Sequence, residues 1–295
     1  MSVTHGTRSI DGREHNYLCL GSQNAHSDTI MFSGANGFPV GTYESFLSQF
    51  EKDYFVQAVD CRATIKDIGP PSRSFGFAEF ADDLINAIES LGNQPVIAMG
   101  HSFGAHVSLI ASIKRPDLFK QLILIEPASL PNAWIDLIYR KLPKAIVHRI
   151  LPMVKQTLER QAIWGSRREF IERYAKHRTF SKMTNQTHQA YAKYGLVKRN
   201  DNKFELVFDP RWEAHIFRRV EYIWNNLKKT TVPCLFIKAE KSNLYSSQLF
   251  NNENKKLGIT FSGIEVKDTF HLMPLEHPAV CYKEVSKWLS QSPLT

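Results

Sequence analysis

The sequence lacks both the long apolar runs and the cysteine spacing that define several classes of protein. No stretch approaches the roughly 20 uncharged apolar residues of a membrane-spanning helix, and the start, MSVTHGTRSIDGREH, has no apolar core or cleavage site typical of a signal peptide. The cysteines are scattered, without a C-x-x-C spacing, at Cys19, Cys61, Cys234 and Cys281. This argues against a disulfide framework and a zinc site, so we expect a soluble, cytoplasmic protein with buried thiols and no metal.

Motifs for binding nucleotides or nucleic acids are missing as well. The segment GANGFPVG (34–41) does not fit G-x-G-x-x-G, and no Gly-Lys-Ser/Thr follows a predicted strand. Positive charge and aromatic residues coincide in the middle of the chain, but no nucleic-acid module accompanies them. We therefore predict no cofactor and no nucleic-acid partner.

Charge is distributed unevenly along the 295 residues. Residues 131–230 contain 21 lysines and arginines against 9 acidic residues, whereas the rest of the chain has 16 against 20. The net charge of +8 therefore originates in the middle segment. Such a shift marks a segment with its own surface chemistry.

Short apolar runs alternate with helical patterns up to residue 126 and again after residue 230. In the helical pattern of residues 77–92, Phe80, Leu84 and Ile88 share one face, and Gly92 is a good stop signal. Alternation of this kind predicts a mostly parallel sheet with helices on both faces. The predicted strands are NYLCLG (16–21), TIMFSG (29–34), YFVQAVD (54–60), PVIAMG (95–100), QLILIE (121–126), VPCLFIKAE (232–240) and IEVKD (264–268).

Residues 128–230 interrupt this alternation with a basic, aromatic and mainly helical pattern. Within them, KRNDNKFELVF (198–208) predicts a hairpin with its turn at Asp201-Asn202. We predict one core made of residues 1–129 and 230–295, with residues 130–229 inserted as a lid, or cap, subdomain.

The segment VIAMGHSFGAHVSL (96–109) places one serine among small residues, between a predicted strand and a predicted helix. Gly100, Ser102 and Gly104 fit G-x-S-x-G, the pattern of a sharp strand-to-helix turn that raises a serine hydroxyl above a sheet. The first N–H groups of the new helix point toward that hydroxyl, where an oxyanion would form. Ser102 is therefore the candidate nucleophile.

A serine hydroxyl needs a base to accept its proton. His271, in DTFHLMPLEHP (268–278), follows a predicted strand and precedes the last helix, so it is the favoured base. His277, directly before a proline, fits a surface loop better. His101 and His106 flank the serine, and we interpret both as packing residues.

These motifs together resemble the α/β-hydrolase superfamily, specifically its capped serine hydrolases. The resemblance covers nearly the whole chain and includes FSGANGFP (32–39), GHSFGA (100–105) and HLMPLEHP (271–278). The first segment is similar to a subgroup of bacterial hydrolases that carry His-Ala-Asn-Gly-Phe-Pro, with Gly34 in place of the histidine. The resemblance implies the α/β-hydrolase fold and a Ser-His-acid triad.

The acid of the triad is the least obvious member. Many relatives carry an aspartate after the strand CLFIKAE, where this chain has Ser242 and Asn243, which cannot ionise. Glu126, at the end of the preceding strand, is favoured because certain capped haloalkane dehalogenases have their acid there, although their nucleophile is an aspartate. Glu240 and a triad without a carboxylate are the alternatives. We expect Asp268 to close a turn instead.

Two backbone N–H groups are expected to stabilise the oxyanion. One belongs to Phe103 and the other to the SGANG loop, where the alignment allows Ala35 or Asn36 and favours Asn36. The alternative interpretation of this loop is a glycine-rich turn with no further role.

The predicted function is hydrolysis of a small-molecule carboxylic ester, with an apolar acyl group or an aromatic group, through an acyl-enzyme. The alternatives are a ligand-binding or signalling protein of the same fold with slow hydrolysis, and an acyltransferase that uses the same triad. The first cap segment (134–161) is basic and amphipathic, which suits either contact with an anionic membrane or acidic ligand, or ordinary packing with solvated charges. Its basic residues are Arg140, Lys141, Lys144, Arg149, Lys155 and Arg160.

Overall fold

The fold is organised around an eight-stranded sheet with the strand order β1-β2-β4-β3-β5-β6-β10-β11. The computed structural model describes residues 3–22, 28–92, 95–141, 152–258 and 260–291. The strands are β1 (Thr4–Ile10), β2 (Arg13–Leu20), β3 (Thr29–Ser33), β4 (Phe55–Val59), β5 (Val96–His101), β6 (Phe119–Ile125), β7 (Ile163–Trp164), β8 (Leu196–Lys198), β9 (Phe204–Leu206), β10 (Cys234–Ala239) and β11 (Phe261–Val266).

From β4 to β11 the large sheet is parallel, and its strands β3, β5, β6 and β10 are almost wholly buried. Their continuous apolar sequences are those of strands covered on both faces. The two strands at the other edge are antiparallel. The sequence pattern did not predict β1, because Ile10 is its one buried residue and no apolar alternation exists to detect.

Helices cover both faces of the sheet, as predicted. The α-helices are α1 (Glu44–Leu47), α2 (Phe77–Leu91), α3 (Phe103–Lys114), α4 (Ala133–Lys141), α5 (Pro152–Leu158), α6 (Arg167–Ala175), α7 (Asn185–Tyr194), α8 (Pro210–Phe217), α9 (Trp224–Leu227), α10 (Ser247–Asn254), α11 (Met273–Glu276) and α12 (Pro278–Gln291). Short 3₁₀ helices span Val40–Tyr43, Ser48–Phe50, Arg62–Thr64 and Pro116–Leu118.

Alternate side chains of one strand enter two different cores, as the period of a strand requires. In β5, Val96 and Ala98 pack in the core that contains α2 and α3, whereas Ile97 and Met99 pack in the core that contains α1 and α12. The α/β-hydrolase fold expected from the sequence is therefore confirmed.

The segment between β6 and β10 contains α4 to α9 and a three-stranded sheet with the order β7-β9-β8. Strands β8 and β9 pair antiparallel, and Asn202 between them has a φ of 62°, so the predicted hairpin exists. The boundaries 130–229 for a separate cap remain a prediction.

Two further expectations concern cysteines and membranes. The cysteines are all free, but only Cys234 and Cys281 are fully buried, while Cys19 and Cys61 are half-buried. Across the described ranges, no helix combines the length and apolarity required to cross a bilayer.

Candidate active site

The turn between β5 and α3 holds Ser102 in an unusual backbone conformation, with φ 54° and ψ −112°. This positive φ is costly for a residue with a side chain. A Cβ added at Gly100 would lie 2.5 Å from the backbone of Ala105, and one added at Gly104 would lie 2.2 Å from the carbonyl oxygen of Ser33. Glycine at both positions therefore lets strand, helix and neighbouring loop approach closely enough to form the turn.

The imidazole of His271 faces this serine across a short gap. Nε2 lies 3.0 Å from Ser102 Oγ, a hydrogen-bond distance that suits transfer of the hydroxyl proton. His271 lies between β11 and α11, on a loop at the carboxyl edge of the sheet. The sequence places these two residues 169 positions apart, and folding brings them together.

Glu126 lies on the far side of the imidazole, immediately after β6. Its Oε2 is 3.1 Å from His271 Nδ1, and its side chain is 0% exposed. Ala239 N–H donates to its Oε1 and the Ser242 hydroxyl donates to its Oε2, both at 2.6 Å. These donors supply what a buried carboxylate needs in place of water. The Glu126 carboxylate is therefore buried and hydrogen-bonded rather than solvated.

The alternative acid, Glu240, points elsewhere. It accepts hydrogen bonds from Lys267 Nζ at 2.8 Å and from Asp268 N–H at 2.9 Å. The hydrogen bond from Lys267, followed by that from the Asp268 backbone, lowers the pKa of Glu240. Asp268 has a φ of 55° and its carboxylate accepts from Lys241, as befits the turn expected there.

The glycine-rich loop Gly34–Phe38 lies directly against the first turn of α3. Gly104 N–H donates to the Gly34 carbonyl at 3.0 Å, which fixes the loop beside Ser102. A Cβ at Gly34 would approach Phe38 O and Tyr43 Cε2 to 3.2 Å. Glycine rather than histidine suits this tightly enclosed position.

The two loop N–H groups considered as oxyanion donors differ in their hydrogen bonding, and that of Ala35 already has an acceptor. It donates to Tyr43 Oη at 3.0 Å. The backbone N–H groups of Asn36 and Phe103 have no hydrogen-bond partner within the part of the chain that the structure describes. Asn36 is itself held in place, because its Nδ2 donates to Glu213 O at 2.9 Å.

The two histidines near the serine are buried and hydrogen-bonded. His101 contacts Tyr43 and the backbone of His271, and His106 contacts the Ala128 carbonyl through Nδ1 at 2.8 Å. Burial lowers the pKa of His101 to about 3 and, likewise by desolvation, the pKa of His106 to about 4. Both are neutral near pH 7.

The segment between β6 and β10 contacts both loops of the site. Tyr191 Oη donates to Gly37 O at 3.1 Å, next to Asn36. Thr187 Oγ1 donates to Leu275 O at 3.0 Å, in the helix that follows His271. The segment therefore contacts the glycine-rich loop and the helix that follows His271, and the exposure of Ser102 is 8%.

One basic residue of this segment has a different environment from the one expected. Arg160 is partly buried, with 14% of its side chain exposed, forms an ion pair with Glu213 and donates to Tyr174 and Tyr191. It belongs to the packing above the glycine-rich loop and not to a solvated basic face. Lys155, by contrast, is exposed and pairs with Glu159 at 3.8 Å.

The rest of the predicted basic face is only partly covered by the structure. Lys144 and Arg149 lie outside the described residues. Trp134 and Ile138 of α4 are exposed, at 75% and 52%. Contact of this region with an anionic membrane or an acidic ligand stays a prediction.

No cluster of three or more histidine, cysteine, aspartate or glutamate side chains that could hold a metal ion occurs in the described ranges. The sequence did not predict roles for Tyr43 and Ser242, which contact Ala35 and Glu126 respectively. Neither has a motif around it. Their contacts arise from the tertiary fold, and neither residue gives a signal of its own in the sequence.

Structural comparison supports the α/β-hydrolase fold. The crystal structure of E-2-(acetamidomethylene)succinate hydrolase matches with a TM-score of 0.80 and 16% sequence identity, covering 98% of this chain and 100% of the other. At such low identity the similarity establishes the fold.

Sequence comparison identifies the family. Residues 32–261 match the family described as serine aminopeptidase, S33, and the chain belongs to this family of α/β hydrolases. A strigolactone esterase of Arabidopsis thaliana is 39% identical over 105 residues, which are 33% of this chain and 38% of that protein. A strigolactone esterase of Pisum sativum is 30% identical over 99 residues, 32% and 37% of the two chains. The matches thus span less than half the length of these relatives.

Proposed function

We propose that this chain is a serine hydrolase that cleaves carboxylic esters through an acyl-enzyme. The observation that carries the proposal is the continuous line from Ser102 Oγ through both nitrogens of His271 to the buried Glu126, with distances of 3.0 and 3.1 Å. Hydroxyl, imidazole and carboxylate in this order are the arrangement that activates a serine.

In the proposed reaction, His271 Nε2 accepts the hydroxyl proton while Ser102 Oγ attacks the ester carbonyl carbon. Glu126 fixes the tautomer with the proton on Nδ1 and stabilises the imidazolium that forms. The protonated His271 then donates its proton to the leaving alcohol as the carbon–oxygen bond breaks. Water attacks the acyl-enzyme with the same base, and Ser102 leaves with its proton restored.

The developing oxyanion is stabilised by the N–H groups of Phe103 and Asn36. Phe103 is the first residue of α3, so its N–H also benefits from the positive end of the helix dipole. The Asn36 side chain is anchored to Glu213, which keeps its backbone in place. Such preorganised donors are worth about 10²–10³ in rate each.

We assign residues 130–229 the role of a cap that covers the site and contributes to an apolar substrate pocket. Its Phe180 and Tyr191 rings lie 5.8 and 4.9 Å from the ring of Phe38, in the glycine-rich loop. Aromatic walls favour an ester with an apolar acyl or aromatic group. The esterase names of the two plant relatives agree with this reaction class.

The ligand-binding alternative rests on the absence of an aspartate near position 242 and of a histidine at position 34. Against it, the Glu126 carboxylate lies 3.1 Å from Nδ1 of the imidazole. The acyltransferase alternative uses the same three residues, so it differs only in the acceptor. A product assay with added alcohols or thiols separates transfer from hydrolysis.

Labelling by a fluorophosphonate probe tests the proposal, because the probe traps an activated serine. The wild-type protein should label and should hydrolyse short p-nitrophenyl esters, while Ser102→Ala should do neither. Absence of labelling in the folded wild-type protein, or equal labelling of the variant, would exclude the proposed mechanism.

A further inference from the structure

Two buried side chains connect the loops on either side of Ser102. The Ala35 N–H donates to Tyr43 Oη at 3.0 Å, and the Tyr43 hydroxyl lies 2.7 Å from Nδ1 of His101. Nε2 of His101 lies 2.8 Å from the carbonyl oxygen of His271. A continuous line of hydrogen bonds therefore begins in the glycine-rich loop and ends at the backbone of the proposed general base.

The protons in this line can be arranged in one way only. A carbonyl oxygen can only accept, so Nε2 of His101 donates to His271 O. A neutral imidazole has one N–H, so its Nδ1 accepts and the Tyr43 hydroxyl must donate to it. The hydroxyl oxygen is then free to accept from the Ala35 N–H. Each group thus has one defined role, and every donor and acceptor in the line has a hydrogen-bond partner.

The surroundings keep His101 in this neutral form. Tyr43 and His101 are both 0% exposed. Burial, followed by the nearby His271, lowers the pKa of His101 to about 3. The two histidine rings have centroids 5.3 Å apart, so a charged His101 would repel the imidazolium that His271 becomes in the proposed reaction.

We infer that Tyr43 and His101 are positioning residues that hold the oxyanion-binding loop and the general-base loop at a fixed distance from each other. The inference rests on the proposed function of both loops. In the proposed reaction, the transition state needs the Asn36 N–H and the His271 imidazole in place at once. Misplacement by about 1 Å costs about 100-fold in rate.

Two substitutions remove the connection at different points. Tyr43→Phe removes the hydroxyl and leaves the Ala35 N–H without its acceptor, while His101→Leu leaves the His271 carbonyl without its donor. We expect each to lower kcat by about 100-fold and to change KM by no more than about twofold, because the lost contacts act in the transition state.

Rescue by a conservative substitution separates positioning from simple packing. In His101→Gln, an amide can present an acceptor oxygen to Tyr43 and a donor N–H to the carbonyl of His271. This variant should recover most of the kcat lost in His101→Leu. The double variant Tyr43→Phe/His101→Leu should be no slower than the slower single variant, since both interrupt one line.

His106→Leu is the matched control. His106 is equally buried, lies in α3 and is hydrogen-bonded to Ala128 O and Asn226 Nδ2. The substitution removes two buried hydrogen bonds without touching either loop, so kcat should stay close to the wild-type value. All assays are run well below the melting temperature of each variant.

Wild-type kcat in folded Tyr43→Phe and His101→Leu would overturn the inference, and so would an equal loss in His101→Gln and His101→Leu. Failure of the proposed function is distinguishable, because the wild-type protein itself would then neither label nor hydrolyse esters. In that case hydrogen exchange decides: the Ala35 amide should exchange faster in Tyr43→Phe and His101→Leu than in His106→Leu. Equal exchange in all three variants overturns the connection itself.

Discussion

The hydroxyl of Ser242 donates a hydrogen bond of 2.6 Å to Oε2 of Glu126, the same oxygen that lies 3.1 Å from His271 Nδ1. Ser242, in the loop after β10 where the sequence resemblance implies an aspartate in many relatives, thus donates here to an acid that directly follows β6. The carboxylate and its hydrogen-bond donors therefore come from the ends of two neighbouring strands. Strand β6 supplies the carboxylate, and β10 supplies a hydroxyl and a backbone N–H that hold it.

Neutralising Glu126 should lower kcat far more than neutralising Glu240, the alternative acid. Glu126→Gln keeps the size of the side chain but cannot stabilise the imidazolium of His271, so kcat should fall by about 10⁴. Glu240→Gln is the matched control, because Glu240 contacts Lys267 and the Asp268 backbone instead. Steady-state ester hydrolysis by both variants decides the assignment, and a large loss confined to Glu240→Gln would reverse it.

Removing the Ser242 hydroxyl should reduce the contribution of Glu126 to catalysis without abolishing it. Ser242→Ala takes one hydrogen bond from the Glu126 carboxylate, a contact worth about 1.5–3 kcal/mol, so kcat should fall by about 10- to 150-fold. The backbone N–H of Ala239 remains in place to hold Oε1. Unchanged hydrolysis by the folded variant would show that the Ser242 hydroxyl does not matter for the proposed triad.

The contact between Ser242 and Glu126 predicts that the carboxylate of the proposed triad can be moved from position 126 to position 242. In a Glu126→Gln background, Ser242→Asp would place a carboxylate at the strand end that relatives use. The double variant should regain at least about tenfold in kcat over Glu126→Gln alone, because a charge again faces the imidazolium. Ser242→Asn in the same background is the neutral control. Equal rates for the two double variants would mean that position 242 cannot reach His271 Nδ1.

The sequence predicted those parts of the molecule that leave a local pattern. The buried strands, α2 and the turn at Ser102 each combine periodicity with a stop signal or a glycine at a fixed spacing. Ala35 shows the limit of such reasoning, because its N–H is taken by Tyr43, eight residues further along. Whether a donor is free depends on a tertiary contact. The edge strand β1 was not predicted from the sequence for a related reason. It forms because it pairs with β2, and not because its side chains are buried.

Buried histidines should make the folded state sensitive to acid. Burial lowers the pKa of His106 to about 4 from its ordinary value of 6.5, so the unfolded chain binds the proton more readily than the folded chain. The stability that neutral His106 provides is complete above pH 6.5 and is lost as the pH falls toward 4. Urea unfolding of His106→Gln should therefore show a free energy that declines less than wild type between pH 6.5 and 4, by about 2–3 kcal/mol. Parallel declines would contradict the assigned neutral state.

A single methyl group at Gly104 should disturb both stability and the site. A Cβ there would lie 2.2 Å from Ser33 O and 2.6 Å from Gly34 O, and these are backbone atoms that cannot rotate away. We expect Gly104→Ala to lower the free energy of unfolding by about 1–3 kcal/mol or more, and to slow fluorophosphonate labelling of Ser102, because the glycine-rich loop must move. Gly258→Ala is the control, since no atom of the described residues, apart from its chain neighbours, lies within 4 Å of the added Cβ. Chemical unfolding and labelling rates that are the same for the two variants would show that the loop does not need to lie this close to α3.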